Sequence, residues 1–290
     1  MNAPSPVARF FAALDRLYER TEQTWWGAVV TDSRYPDIRD VNYARVDVGQ
    51  PDLQLEEVEA ALLPSLRESG ARYGHVVAFD ANASPRLLQD LERAGRRVSW
   101  DAAMRFAGTL EDARGSGPVE ALEPGQELWR VLDVVYREFG NDDERVREQL
   151  IAITRDVLEP AGRRWFGVSV DGRVAGVGSI HVLDHVGYVY EVLTMPAYRR
   201  RGIAGAVVRR LVHEGFHEGA REVVLLSDAP NAIRLYRTIG FEDLGRLAAS
   251  VWELPEASGQ ASGSSGSAAG AAGSSPTDPG AGSLHGDQPG

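Results

Sequence analysis

One stretch limits what this chain can fold into more than any other: an apolar strand, an arginine turn ending in glycine, and an apolar helix in direct succession. Tyr188-Val189-Tyr190-Glu191-Val192-Leu193 reads as a strand, and Thr194 to Arg201 as the turn. Ile203, Val207 and Leu211 then recur one helical turn apart, with Ala204 and Val208 beside them, which predicts a helix over 203–218. Gly202 has no Cβ, so a ligand can approach the backbone closely there. The first N–H groups of a helix have no partner within it and lie at the positive end of its dipole. A strand, a basic turn and a helix start therefore form a site for a phosphate or pyrophosphate.

A second element follows at short range. Glu222 to Ser227 is a strand, and after it comes Asn231-Ala232-x-x-Leu235-Tyr236-x-x-x-Gly240-Phe241. Arg199-x-x-Gly202-x-Ala204 resembles the pyrophosphate loop of the GCN5-related N-acetyltransferase (GNAT) superfamily. The Asn231-to-Phe241 run resembles that family's other hallmark. The resemblance covers roughly Val119 to Leu254 and implies a fold that binds acetyl-CoA as cosubstrate and passes its acetyl group to an amine.

Composition narrows the alternatives. A chain of 290 residues, 43% hydrophobic and 25% charged, is long and apolar enough for one large domain or two small ones. A net charge of -11 argues against a general nucleic-acid or anionic-membrane binder. With no cysteine there is no disulfide, thiolate metal site or cysteine nucleophile, and no metal is expected. Every basic residue other than histidine is arginine. No apolar run reaches the ~20 residues of a membrane span, and Met1 to Arg9 lacks a signal-peptide pattern, so a cytoplasmic protein is expected. The oligomeric state, monomer or homodimer, stays open.

Before the family segment, the pattern predicts a helix over 5–24 capped by Ser5, a strand at 25–30, and a strand over 42–48. It then predicts a helix over 54–69, a strand over 74–79, a helix over 84–94 ending at Gly95, and a strand over 98–106. Laying Gly95 on Gly240 sets Arg86 against Asn231 and Leu91 against Tyr236. Gly49-Gln50-Pro51-Asp52-Leu53 does not match the arginine-glycine turn. The expected fold class is thus α/β (α+β) with two GNAT-like domains, each a mixed, mostly antiparallel sheet flanked by helices. The first, 1–113, is a degenerate copy or an unrelated domain with the same element order. A linker at 114–118 leads to the catalytic domain, 119–254. There, helices over 124–139 and 142–158 precede a hairpin over 165–183 turning at Asp171-Gly172, and a last strand covers 247–254. Residues 255–290, rich in Ser, Gly, Ala and Pro, are expected to be disordered.

The resemblance assigns roles residue by residue. Arg199, Arg200, Arg201, Gly202, Ile203 and Ala204 would hold the pyrophosphate; the plainer reading is a solvated basic turn. The backbone of Val192, Leu193 and Thr194 would bind the pantetheine arm and polarise the thioester carbonyl. Tyr236 is the candidate general acid, against a plain core tyrosine, because a phenol can protonate a departing thiolate. Asn231 would cap its helix and touch the cofactor. Glu191 is the candidate base, since burial raises a carboxyl pKa toward neutrality; the plainer reading is a glutamate paired with an arginine. His181 and His185 compete for that role. Two other functions remain open: a regulatory module that binds acetyl-CoA without turnover, and a transferase for another acyl donor.

Overall fold

The structure is a computed structural model, described here for residues 5–47, 49–109, 111, 113 and 117–255. Most of the expected linker and the expected tail after Pro255 lie outside the described residues.

The chain begins with α1 (Pro6–Leu14), whose Ser5 hydroxyl accepts from the Ala8 N–H at 3.2 Å. Helix does not continue to residue 24. A 3-10 turn at Asp15–Leu17 is followed by β1 (Arg20–Gln23), an edge strand with no apolar residue. Pairing with β2 (Gly27–Thr31) makes it a strand, and local pattern carries no sign of that partner. Then come β3 (Tyr43–Val46), α2 (Leu55–Ser69), β4 (Tyr73–Ala78), α3 (Pro85–Arg93) and β5 (Val98–Phe106). The second half contains β6 (Glu120–Leu122), α4 (Gln126–Glu138), α5 (Glu144–Ile153), β7 (Arg164–Val170) and β8 (Arg173–Leu183). It ends with β9 (Val186–Thr194), α6 (Ile203–His217), β10 (Glu222–Ser227), α7 (Pro230–Ile239) and β11 (Phe241–Glu253).

All eleven strands join one sheet, in the order β1-β2-β3-β4-β11-β5-β10-β9-β8-β7-β6. The two halves share it rather than building one each. β11 lies between β4 and β5, and β5 between β11 and β10, so the last strand of each half fills a gap in the other. Parallel pairing occurs at β3/β4, third and fourth from one edge, and at β9/β10, fourth and fifth from the other. The sheet is mixed and mostly antiparallel, as expected.

Two layers of helix cover it. On one face, α6 and α7 bury Val207, Val208, Leu211 and Tyr236, while α2 and α3 bury Val58, Leu62 and Leu87 further along. The opposite face carries α1, α4 and α5 over a core that includes Phe10, Leu132, Leu150, Tyr188 and Leu226. Phe10 of α1 stacks on Tyr188 of β9 at 5.0 Å between ring centroids, and Arg9 pairs with Glu222, so the first helix is fastened to the second half. Among the described residues no helix is long and apolar enough to cross a membrane.

Candidate active site

The site forms where two strands part. β9 and β10 pair only from Val186/Glu222 to Tyr188/Val224, yet β9 runs on to Thr194 and β10 to Ser227. Beyond Tyr188 the edge of β9 that faced β10 has no strand partner. A bulge sharpens the divergence. Val177 of β8 pairs with Leu193 and Ser179 with Tyr190, so Glu191 and Val192 together oppose Gly178. Glu191 takes φ 49°, a left-handed conformation costly for a residue with a Cβ. The matching strands of the first half do not open: β3 and β4 pair to Val46/Ala78, and the Phe79 N–H donates to the Val46 carbonyl at 3.0 Å.

A cleft of ≈ 740 Å³ occupies the opening on the α6 face. Val192, Thr194, Arg199, Arg200, Gly202, Ile203 and Ala204 line one wall, and Asn231 and Tyr236 the other. Gly202 caps α6 at φ 78°, and the first helical bond runs from the Ala206 N–H to the Gly202 carbonyl. The N–H groups of Ile203, Ala204 and Gly205 therefore lack intrahelical acceptors and point out at the helix's positive end. Arg199 donates from Nε to the Thr194 carbonyl at 3.3 Å, and neither it nor Arg200 is paired with a carboxylate among the described residues. Unpaired N–H groups, two arginines and a helix start suit an extended anion such as a pyrophosphate. The long parted edge of β9 suits an amide-bearing arm, so these residues fit coenzyme A.

Two expected residues do not present side chains there. Leu193 is buried on the opposite face, and the Arg201 guanidinium lies over the Tyr198 ring at 5.4 Å. Nor does Asn231 cap α7. Pro230 takes the first helical position, a favoured place for proline, and moves the cap back to Ala229. The Asn231 Oδ1 instead accepts from Arg234 beside the cleft. Gly205, Ala232 and Leu235 also line the cleft. Ala232 and Leu235 belong to the Asn231-to-Phe241 run, and a place next to Ala204 was the one signal for Gly205.

Glu191 sits behind the cleft rather than in its lining. Its Oε2 accepts from Nη2 of Arg163 at 2.6 Å, and both side chains are fully enclosed. Arg163 Nε donates to Ser179 Oγ at 2.9 Å, and the Tyr136 hydroxyl, bonded to Thr154 at 3.1 Å, lies nearby. Burial pushes the Glu191 carboxyl up to about 7, against the opposing pull of Arg163 and Tyr136. The elevation expected from sequence is present, and so is the arginine pairing of the plainer reading. Arg163 was missed, because an arginine at the start of a strand looks like any solvated one. His181 donates from Nε2 to the Ala161 carbonyl at 3.0 Å, and burial drops its pKa to about 4. His185 lies in the exposed β8–β9 turn at 3.4 Å from the Gly219 carbonyl. Neither histidine lines the cleft.

Residues 126–241 match the sequence model of the acetyltransferase (GNAT) family, and this segment is a GNAT acetyltransferase domain. No curated protein sequence matches the chain. Among solved structures, a GCN5-related N-acetyltransferase from Kribbella flavida is 19% identical, with 86% of this chain and 95% of that one covered and a TM-score of 0.54. A functionally unknown conserved protein from Staphylococcus epidermidis is 13% identical over 80% of this chain and 92% of its own, with a TM-score of 0.63. A GCN5-related N-acetyltransferase from Sphaerobacter thermophilus is 21% identical over 69% of this chain and 66% of its own, with a TM-score of 0.51. At these identities the likeness is one of fold.

Proposed function

We propose that the protein is an acetyl-CoA-dependent N-acetyltransferase that acts on a primary amine of a small molecule or peptide through residues 119–254. The observation that carries this reading is the cleft itself. It joins the Gly202 helix start, the parted edge of β9 and the Tyr236 side of α7 in one continuous space. The first half, 1–113, acts as a degenerate GNAT-like copy, joined through 114–118. The mirrored strand order supports this, and the closed β3/β4 pair accounts for its lack of a cofactor cleft.

Acetyl-CoA supplies an activated acyl group on sulfur. The helix N-terminus, Arg199 and Arg200 hold its phosphates, and the edge of β9 at Val192 to Thr194 holds the arm and polarises the carbonyl. The acceptor arrives as an ammonium and gives a proton, relayed through water, to the enclosed Glu191 carboxylate. The neutral nitrogen then attacks the carbonyl carbon. The C–N bond forms, the C–S bond breaks, and the electron pair leaves on sulfur, which takes a proton from the Tyr236 hydroxyl. The second proton of the nitrogen leaves to solvent, and Glu191 and Tyr236 return to their starting states by exchange with water.

Thiol release from acetyl-CoA over a panel of primary amines tests this reading. Amine-dependent release with a matching acetamide product is expected. Tight acetyl-CoA binding without turnover on any amine would favour a regulatory module. Turnover only with longer acyl thioesters would change the donor.

A further inference from the structure

A second pocket, ≈ 560 Å³, opens on the other face of the sheet, under α1. Its walls come largely from the first half: Phe11, Tyr43, Val77 and Phe79, with Leu226 and Leu247 from the second. It is mostly apolar, with five titratable groups, Arg39, Asp40, Tyr43, His75 and Asp101. Asp40 lies 3.9 Å from the Arg39 guanidinium and 3.8 Å from His75 Nδ1, so two of the charges offset each other. Asp101 has no hydrogen-bond or ion-pair partner among the described residues. Burial, then the charges of Asp228 and Asp40, push its carboxyl up to about 6, with Arg39 opposing. Asp101 is thus a half-buried carboxylate beside two other acids, with the Arg39 charge acting on it but no cation in direct contact.

The pocket and the cofactor cleft share no lining residue, but one short segment of chain runs from one to the other. Leu226 lines the pocket, Asp228 is close enough to act on Asp101, and Asn231 lines the cleft. The six residues from 226 to 231 thus link the two cavities around the end of β10, where β9 has parted from it. Phe11 on the pocket wall packs against Tyr188, the last paired residue of β9, at 5.4 Å between centroids.

We propose that this pocket receives the acceptor: a small primary amine whose ammonium is held by Asp101 and whose apolar body lies against Phe11, Phe79 and Leu247. The assignment rests on the transferase reading above for its role, but not for binding itself. A free peptide has a polar backbone that these walls would leave without partners. A polyamine has several charges against one uncompensated carboxylate. On this view the first half has lost the cofactor cleft and kept a function as the acceptor wall.

Calorimetric titration of the full chain with 2-phenylethylamine, 2-phenylethanol and spermidine tests the pocket, with acetyl-CoA titrated separately. The amine is expected to bind at least tenfold more tightly than the uncharged alcohol and more tightly than spermidine. Asp101→Asn should weaken it about 10- to 100-fold with acetyl-CoA affinity unchanged, because a charge-assisted contact is lost. Ala249→Leu, which narrows the same pocket, should also weaken it. No amine binding, equal binding by Asp101→Asn, preference for spermidine, or competition between amine and acetyl-CoA would overturn the proposal. Failure of acetyl-CoA to bind while Asp101-dependent amine binding persists would refute the transferase reading alone.

Discussion

Replacing Gly202 by leucine separates the ligand-binding role of the arginine-glycine turn from its role in the fold. Gly202 has φ 78°, and a Cβ built there meets no atom within 4 Å. The folded state therefore loses only the cost of a left-handed L-residue, about 1–2 kcal/mol. That lowers the melting temperature by roughly 2–8 °C in a domain of this size. The added side chain enters the open space that Gly202 lines, where phosphate oxygens would meet the helix N–H groups. Losing two charge-assisted bonds at about 1.5–3 kcal/mol each weakens acetyl-CoA binding by roughly 10²–10⁴-fold. Gly219→Ala is the matched control. Gly219 has φ 93°, also with nothing within 4 Å of a built Cβ, but it follows the far end of the 15-residue α6, about 22 Å away at 1.5 Å per residue. It should melt earlier by a similar amount and bind acetyl-CoA normally. Calorimetry and a thermal melt on both variants give the answer. Wild-type affinity in Gly202→Leu would refute the phosphate assignment. An equal loss of affinity in Gly219→Ala would show that strain, not obstruction, was measured.

Tyr236→Phe should leave acetyl-CoA affinity within about twofold and lower turnover by roughly 10²–10⁴ in a stopped assay; unchanged turnover would reduce Tyr236 to packing. If Glu191 takes the amine proton it must be ionised, and burial has moved its carboxyl from 4.5 up to about 7. Activity should therefore fall about tenfold per pH unit below roughly 7, and Glu191→Gln should slow the reaction and remove that acid limb. An intact limb in the variant would assign it elsewhere. Expressed alone, residues 119–255 lose both strand neighbours of β11, which come from β4 and β5. They should aggregate through unpaired edges and become soluble on co-expression with the first half. A soluble monomer that binds acetyl-CoA by itself would contradict that dependence.

Local pattern made much of this fold legible. β5 and β10 have the expected limits, and α2, α4 and α6 lie within two residues of theirs, because alternation and helical spacing record which face is buried. What was hidden depends on distant partners. β1 has no apolar residue and is a strand only because β2 lies beside it. The exchange of β5 and β11 between the halves has no local signature, so the sequence reads as two sheets where there is one. The cofactor cleft was legible because its parts lie close together in the chain, from Val192 to Tyr236. The bulge at Glu191 could not be read from a strand pattern, nor could Arg163, 28 residues before it. The second pocket draws Asp40, His75 and Asp101 from three separate elements, and each looks like an ordinary surface residue in sequence.

The most direct test is a calorimetric titration of the full-length chain with acetyl-CoA, read for stoichiometry. β9 and β10 part, and β3 and β4 do not, so one site per chain is predicted. Two sites would mean that the first half also binds the cofactor. No binding by the folded protein would contradict the assignment of the cleft.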